Sequence, residues 1–308
     1  MINWLVVGAG QAGRCHIAAI QKTPEAVLVG VVDPYSPRIV GVPFFEDLIS
    51  TLDAIKVDAV VIATPNDIQI GSAVQVLRSG TPVLCEKPVG RNVQDARRLL
   101  AFAEEKNIPI GVVLNQRTYR HFRWIKSLID SGALKPTDII FSGIVAGLTG
   151  WHNDITRAGG GVLRTIGLHY IDLLMWLLGP LENISLDMAG TPLEHKFCLK
   201  ADVSTDCRAE IRIMASAEIS PRPVGCLIEA GDISIQMIGH KIVESHGLPY
   251  IPKPEPVDKA LSFGPGHLAV ISEATQCLQN NEPFPVSLSD IMPLLECIDD
   301  LYEAQKAC

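Results

Sequence analysis

The chain has 308 residues, of which 47% are hydrophobic and 19% are charged, a balance that excludes an intrinsically disordered protein and favours two folded domains. Its formal net charge of −8 argues against binding to nucleic acid or to an anionic membrane, and it suits a cytoplasmic protein. No secretory signal is visible, apolar runs end before the length of a membrane span, and eight scattered cysteines without CxxC predict thiols and no metal site.

The first third of the chain alternates short apolar strands with amphipathic helices. Such an alternation predicts a doubly wound parallel sheet covered on both faces by helices. The predicted strands are 4–10, 26–33, 58–65, 81–88 and 108–115, and the predicted helices are 11–23, 69–80 and 93–107.

After about residue 118 the pattern changes to a helix, a strand and a second helix, followed by strands with short turns between them. Consecutive strands of this kind predict an open, predominantly antiparallel mixed sheet in an α+β domain. The predicted strands are 137–147, 184–190, 206–216, 225–231 and 233–243, and the predicted helices are 122–132, 159–179, 266–281 and 289–306. The sequence therefore predicts a Rossmann domain at 1–117 and a substrate-binding and oligomerisation domain at 118–308, with a C-terminal helix able to pack back on the first domain.

A glycine-rich turn joins the first strand to the first helix, and Asp33 closes the second strand twenty residues after it. This context makes the GxGxxG pattern a dinucleotide fingerprint, because glycines let the backbone approach a pyrophosphate at a helix N-terminus. Asp33 favours NAD over NADP by accepting ribose hydrogen bonds, while Arg38 would soften its repulsion of a 2′-phosphate and leave NADP possible. The residues predicted to bind at the turn are Gly8, Gly10, Gln11, Ala12 and Gly13.

Two further strands end in polar residues on the carboxyl side, where doubly wound sheets bind ligands. Thr64-Pro65-Asn66 is an ordinary turn sequence, and its position predicts a place near the nicotinamide half of the cofactor. Glu86-Lys87-Pro88 follows the next strand, and either an exposed ion pair or a functional lysine fits that pattern. Lys87 could bind a substrate hydroxyl and stabilise its developing charge, with Glu86 an anchor for backbone or cofactor.

A polar stripe lies on the helix predicted for 159–179. Thr165, His169 and Asp172 are spaced at i, i+4 and i+7 and would share one helix face. A lone histidine on an apolar helix is commonly a core residue, but a stripe of three polar residues favours proton transfer by His169. Three glycines at 159–161 would allow a ligand or backbone to approach closely.

The glycine turn, Ala-Thr-Pro-Asn, Glu-Lys-Pro and "GGGVL…GLHYIDLL" occur in this order along most of the chain, and together they resemble the Gfo/Idh/MocA family of NAD(P)-dependent oxidoreductases. The resemblance implies a Rossmann domain and an α/β domain whose open sheet faces substrate on one side and often a partner subunit on the other. It also implies hydride transfer at a secondary hydroxyl of a sugar, polyol or nucleotide sugar. Carried onto this sequence, Lys87 is the lysine of the Glu-Lys-Pro motif and His169 is the catalytic histidine.

Two positions depart from the family pattern. Thr165 stands where many members have an aspartate, which removes a charge beside the substrate and places more of the proton relay on His169 and Lys87. Gln69 stands where members often have a histidine. The predicted substrate-binding residues are Lys87, Asn115, Arg117, Tyr119, Trp151, Thr165, His169 and Asp172, although the group from Asn115 to Tyr119 fits interdomain hydrogen bonding equally well.

The resulting hypothesis is an NAD-dependent dehydrogenase with His169 as general base and Lys87 orienting the hydroxyl oxygen. It would take a small-molecule substrate and, by analogy with the family, form a homodimer or homotetramer. Two alternatives stay open: a non-catalytic sensor that binds a dinucleotide on the same fold, and a reductase of an imine or a conjugated double bond. Retention of both the lysine and the histidine favours the enzyme over the sensor.

Overall fold

The computed structural model describes residues 1–35, 39, 41–190, 192–203, 206–239, 241–248 and 266–306. The chain forms two compact units. Among the described residues, the first unit comprises 1–115 and 266–296, and the second comprises 116–248 and 297–306, with the gaps given above. The chain thus changes unit between Asn115 and Gln116, two residues before the division drawn from sequence, and one tail helix belongs to the first unit.

The first unit is a parallel α/β layer structure. Its strands are β1 (Ile2–Val7), β2 (Ala26–Val32), β3 (Phe44–Phe45), β4 (Ala59–Ile62), β5 (Val83–Glu86) and β6 (Ile110–Val113). Its helices are α1 (Gln11–Lys22), α2 (Leu48–Ala54), α3 (Asn66–Arg78), α4 (Val93–Lys106) and, from the C-terminal part of the chain, α8 (Gly266–Asn280). The strand order is β3-β2-β1-β4-β5-β6, and all pairs are parallel. This order reverses direction between β1 and β4, the crevice in which doubly wound sheets bind dinucleotides.

Helix α8 is attached to the sheet through a buried polar contact. Trp4 on β1 is fully buried, and its indole Nε1 donates a hydrogen bond of 3.0 Å to Thr275 Oγ1 on α8. Thr275 is itself 1% exposed, so water cannot replace the acceptor if the hydroxyl is removed. The contact therefore stabilises the first unit both by apolar burial and by satisfying the indole N–H.

Replacing Thr275 with valine should lower the free energy of unfolding by about 1–3 kcal/mol, because it leaves a buried N–H donor without an acceptor while keeping the side-chain volume. Urea denaturation followed by circular dichroism measures the change. Thr275→Ser keeps the hydroxyl and is the matched control. A valine variant as stable as the wild type would show that the indole hydrogen bond contributes nothing.

The second unit is built on a seven-stranded sheet. Its described strands are β7 (Asp138–Ala146), β8 (Leu181–Ala189), β9 (Lys196–Val203), β10 (Cys207–Ser216), β11 (Arg222–Ala230), β12 (Ile233–Ile238) and β13 (Lys241–His246). Its described helices are α5 (Arg120–Asp130), α6 (Ile155–Ala158) and α7 (Leu168–Leu178). Helix α9 (Met292–Lys306) begins in the first unit and ends in the second. The order is β13-β12-β11-β7-β10-β9-β8, with β7 and β10 parallel and the other pairs antiparallel.

The segment Ile155–Leu178 is long and apolar enough, at 24 residues, to cross a membrane, and no other described helix is. Gly167, His169 and Asp172 interrupt its apolar residues, as expected from the sequence, and the segment meets this criterion by length and composition only. Of its apolar window, 67% is buried inside the protein, which is the burial expected of a core helix. The segment is also irregular, because α6 ends at Gly159 with a φ of +77° and a π-helical turn at Leu163–Gly167 precedes α7.

The predicted fold class is confirmed, since a parallel Rossmann-type sheet is joined in one chain to a mixed, mostly antiparallel sheet. The prediction omitted β9, although its side chains alternate between exposed and buried with the period of two that marks a half-buried strand. It also omitted β3 and α2, which are only two and seven residues long. The seven described cysteines are thiols, as the sequence predicts.

Candidate active site

The three glycines of the first turn have different surroundings. Gly8 has a φ of +99°, and a Cβ there would lie 2.4 Å from the Ala63 carbonyl oxygen at the end of β4. A Cβ on Gly13 would lie 1.9 Å from the Gly8 carbonyl oxygen, so both positions are closed to any side chain. Gly10 meets nothing within 4 Å, which leaves open space beside the N-terminus of α1. Two glycines thus fold the turn, and the third leaves room for a ligand's phosphates.

Asp33 fastens the turn to the end of β2. Its Oδ2 accepts a hydrogen bond of 2.8 Å from the Ala9 backbone N–H, and its Oδ1 accepts one of 2.8 Å from the Tyr35 N–H. The carboxylate is only partly buried and lies at the carboxyl edge of the sheet, as the sequence predicts for a ribose contact. Arg38, the residue proposed to moderate its charge, lies outside the described residues.

The cofactor residues predicted on either side of Gly10 and Gly13 lie at helix starts. Gln11 and Ala12 are the first two residues of α1. Pro65 is the N-cap residue of α3, and Asn66 is its first residue and 2% exposed. The Thr64 hydroxyl is buried and has no hydrogen-bond partner among the described residues. Since β1 and β4 are neighbours, these two helix N-termini lie at the same edge of the sheet.

Lys87 directly follows β5, and a glutamine side chain holds the chain on both sides of it. Gln69, which is fully buried, donates from Nε2 to the Glu86 carbonyl oxygen at 2.6 Å and accepts at Oε1 from the Gly90 N–H at 2.7 Å. The Lys87–Pro88 peptide bond is cis. Lys87 is partly buried, and this burial lowers the pKa of its amine, while the Glu86 carboxylate opposes that decrease.

Glu86 lies in a buried cluster with two histidines from different helices. Its Oε1 lies 2.7 Å from His16 Nε2 on α1 and 3.5 Å from His267 Nε2 on α8. Its Oε2 accepts a hydrogen bond of 3.2 Å from the Lys87 backbone N–H. Burial acts to raise the pKa of the Glu86 carboxyl, but the two histidines more than offset this and hold it far below its ordinary range.

In the second unit, Thr165 lies in the π-helical turn and His169 is the second residue of α7. The Thr165 hydroxyl donates to the Gly161 carbonyl oxygen at 2.8 Å and is buried. His169 remains partly exposed. Because a π turn contains an extra residue, the regular i, i+4 spacing assumed for this pair does not apply, and of the two only His169 presents a partly exposed side chain.

The structure pairs two residues that the sequence placed separately among the substrate contacts. Arg117 donates from Nε to Asp172 Oδ2 at 2.9 Å, and the Asp172 side chain is 1% exposed. Burial raises the pKa of the Asp172 carboxyl, and the Arg117 guanidinium opposes the shift. The pair connects α7 to the segment that enters the second unit, so its contacts fit the positioning of His169 better than a direct contact with substrate.

The remaining predicted contacts differ in exposure. Tyr119 is 2% exposed and stacks on His121, with ring centroids 5.6 Å apart, so it belongs to the core of the second unit. Trp151 is partly exposed and stacks on His152 at 3.7 Å in a short 3-10 helix. Asn115 ends the N-terminal segment of the first unit and is partly exposed. Asn115 and Trp151 are thus exposed enough to contact a ligand, whereas the buried Tyr119 is not.

Sequence reasoning missed four side chains that hold the site's backbone: His16, Gln69, Glu194 and His267. Gln69 was noticed only as a departure from a family pattern. Glu194 Oε1 accepts from the Leu163 N–H at 3.0 Å and from the Tyr302 hydroxyl at 2.6 Å, which fixes the start of the π turn. Each of these contacts spans 17 or more residues of sequence, and no local spacing signal predicts such partners.

A glycine turn at the switch point of a 3-2-1-4-5-6 parallel sheet, with an aspartate closing β2, defines a dinucleotide-binding Rossmann protein that carries an additional α+β unit. Residues 2–113 match the family model described as "Oxidoreductase family, NAD-binding Rossmann fold". The nucleotide-binding domain therefore belongs to the Gfo/Idh/MocA family, which confirms the resemblance carried by the sequence motifs, and NAD is its cofactor.

Two curated relatives and one solved structure illustrate the similarity. The chain is 28% identical over 202 residues to an inositol 2-dehydrogenase of Rhizobium meliloti, covering 63% of this chain and 60% of the relative. It is 30% identical over 202 residues to a 1,5-anhydro-D-fructose reductase of Ensifer adhaerens, covering 60% of each. The matches thus span about 60% of the length of these relatives. The WlbA dehydrogenase of Bordetella pertussis, solved with NADH and UDP-GlcNAcA, shares the fold over 99% of this chain and 97% of that one, with a TM-score of 0.83 and 21% identity.

Proposed function

We propose that this protein transfers a hydride between a secondary hydroxyl of a sugar, polyol or nucleotide sugar and NAD. The observation that carries the proposal is the presence of Lys87 and His169 together with a glycine turn whose Gly10 leaves space for a dinucleotide. The relatives named above act, by their names, on an inositol and an anhydrosugar, and the WlbA structure holds a nucleotide sugar. These names support the substrate class and leave the individual substrate open.

The residues of the first unit would bind the cofactor by its phosphates and ribose. The N-terminal N–H groups of α1 bind the pyrophosphate, and the Asp33 carboxylate accepts hydrogen bonds from the adenosine ribose. Bound NAD supplies the acceptor for the hydride that leaves the carbinol carbon. The turn would bind through backbone groups, because a side chain does not fit at Gly8 or Gly13 and Gly10 has open space beside it.

The proton and the hydride leave the substrate separately. In the oxidative direction, His169 takes the hydroxyl proton as general base, the C–H electron pair leaves as hydride, and the C–O bond becomes a carbonyl. The Lys87 ammonium binds the same oxygen and stabilises the negative charge that develops on it. The reverse direction uses the same two groups, with His169 returning the proton.

A screen for NADH formation tests the proposal. Inositols, aldoses, sugar acids and UDP-sugars are each incubated with the protein and NAD, and absorbance at the NADH band is followed. Saturable NADH formation with at least one compound is expected. NAD binding without turnover on any of them would favour a sensor.

The assembly proposed with this function is a homodimer or homotetramer, which analytical ultracentrifugation measures directly.

A further inference from the structure

The buried cluster of Glu86, His16 and His267 has geometry that the proposed reaction does not itself require. His16 is fully buried, and His267 and Glu86 are 5% and 7% exposed, although they come from α1, α8 and the end of β5. The two imidazole rings meet edge to face with centroids 5.0 Å apart. Three elements distant in sequence thus meet at one carboxylate.

The shorter of the two histidine–carboxylate distances in this cluster is that of a hydrogen bond. His16 Nε2 and Glu86 Oε1 are 2.7 Å apart, whereas two ligand atoms of a tetrahedral zinc ion would lie about 3.3 Å apart at ordinary zinc–ligand lengths. Burial, the leading influence, lowers the pKa of His16, so it is a neutral imidazole that donates from Nε2. The Glu86 carboxylate is therefore stabilised by N–H donors and carries a full negative charge within the first unit.

Only a few titratable groups face this charge among the described residues. From α1 there is His16, from α8 there is His267, and from β5 and its end there are Cys85 and Lys87. Burial, followed by the Glu86 charge, raises the pKa of the Cys85 thiol, which keeps that group neutral. The one cation in this set beside Glu86 is Lys87.

We propose that Glu86 is a positioning residue for Lys87: held ionised by His16 and His267, its carboxylate fixes the backbone at Lys87 and keeps the lysine side chain as an ammonium. The role given to Lys87 rests on the proposed function. The carboxylate contributes in two ways, by its hydrogen bond from the Lys87 N–H and by its charge. Loss of the Glu86 charge would remove the influence that opposes burial and so favour the neutral amine, which binds a developing oxyanion far less well.

Competitive labelling of amines with acetic anhydride tests this without any substrate. Lys87 reactivity is followed against pH by peptide mass spectrometry in the full chain, in wild type and in Glu86→Gln. The variant should show about tenfold more reactive neutral amine at Lys87 at a pH below both midpoints, because an opposite charge is lost. Glu25→Gln, which removes an exposed charge in the same unit, is the control and should leave Lys87 unchanged.

A second pair of variants keeps the proposal testable if Glu86→Gln does not fold. His16→Leu removes the 2.7 Å donor, so Glu86 takes up a proton and Lys87 reactivity rises as in Glu86→Gln, whereas His16→Gln retains a donor and the wild-type reactivity. Unchanged Lys87 reactivity in the folded variants would overturn the proposal, as would a stoichiometric metal ion in the purified protein. With a known substrate, the alkaline limb of the pH profile of kcat/KM should also move to lower pH in Glu86→Gln, in parallel with the change in Lys87 labelling. Absence of turnover bears on the proposed function alone, because labelling does not depend on it.

Discussion

Replacing His169 with asparagine lowers kcat by about 10²–10⁴-fold and leaves the Kd for NAD unchanged, if His169 is the general base. The reason is that asparagine keeps a polar side chain on α7 but cannot take a proton near neutral pH. His169 belongs to the second unit and the glycine turn to the first, so the variant leaves the residues proposed to bind the cofactor intact. Steady-state kinetics and an NAD titration measure the two quantities.

His246→Asn is the matched control, because His246 is an exposed histidine of the same unit and pairs only with the neighbouring Glu244 among the described residues. It should retain full turnover. Lys87→Met should cost about 10²–10³-fold by removing the charge that stabilises the oxyanion. The double variant should lose little more than the worse single one, since the two groups act on one transition state. Normal turnover in both single variants would exclude the catalytic assignment.

Asp33→Asn should shift the cofactor preference toward NADP by about tenfold to a hundredfold, measured as the ratio of the Kd for NADP to the Kd for NAD. If Asp33 binds the adenosine ribose as proposed, a 2′-phosphate would lie beside its carboxylate, and removing that charge removes a repulsion of a few kcal/mol at the dielectric of a protein surface. Asparagine has one amide oxygen, so it can keep only one of the two hydrogen bonds that Asp33 accepts from Ala9 and Tyr35. Some loss of NAD affinity is therefore expected as well.

Asp53→Asn removes an equal charge from the exposed face of α2 and should leave the ratio unchanged. This control separates a local repulsion at the ribose from a general effect of net charge. Fluorescence titration with both dinucleotides gives the ratio for each protein. An unchanged preference in Asp33→Asn, in a protein that still binds NAD, would show that Asp33 has no part in cofactor selection.

The sequence predicted the features that depend on local pattern. The glycine turn, Asp33 and Lys87 were placed correctly at the carboxyl edge of the parallel sheet, because the alternation of strands and helices defines where each strand ends. Consecutive strands with short turns between them likewise predicted the mixed sheet of the second unit. These inferences needed only neighbours within about twenty residues.

The contacts that could not be predicted join distant parts of the chain. His267 reaches Glu86 across 181 residues, obtained as 267 minus 86, and Thr275 reaches Trp4 across 271. The predicted helical stripe assumed regular α geometry, which the π turn at Leu163–Gly167 interrupts. Residue spacing predicts only what lies within one regular element. It therefore predicts neither a turn with an extra residue nor a partner from a remote helix.

If the protein transfers a hydride from a carbinol carbon, the hydrogen on that carbon must appear in the reduced nicotinamide. A substrate found in the screen would be deuterated at the carbon that bears the reactive hydroxyl and oxidised with NAD, and the nicotinamide product analysed by mass spectrometry. One deuterium in the reduced nicotinamide and a ketone at the labelled carbon are expected. Unlabelled NADH, or a product without a new carbonyl group, would contradict it.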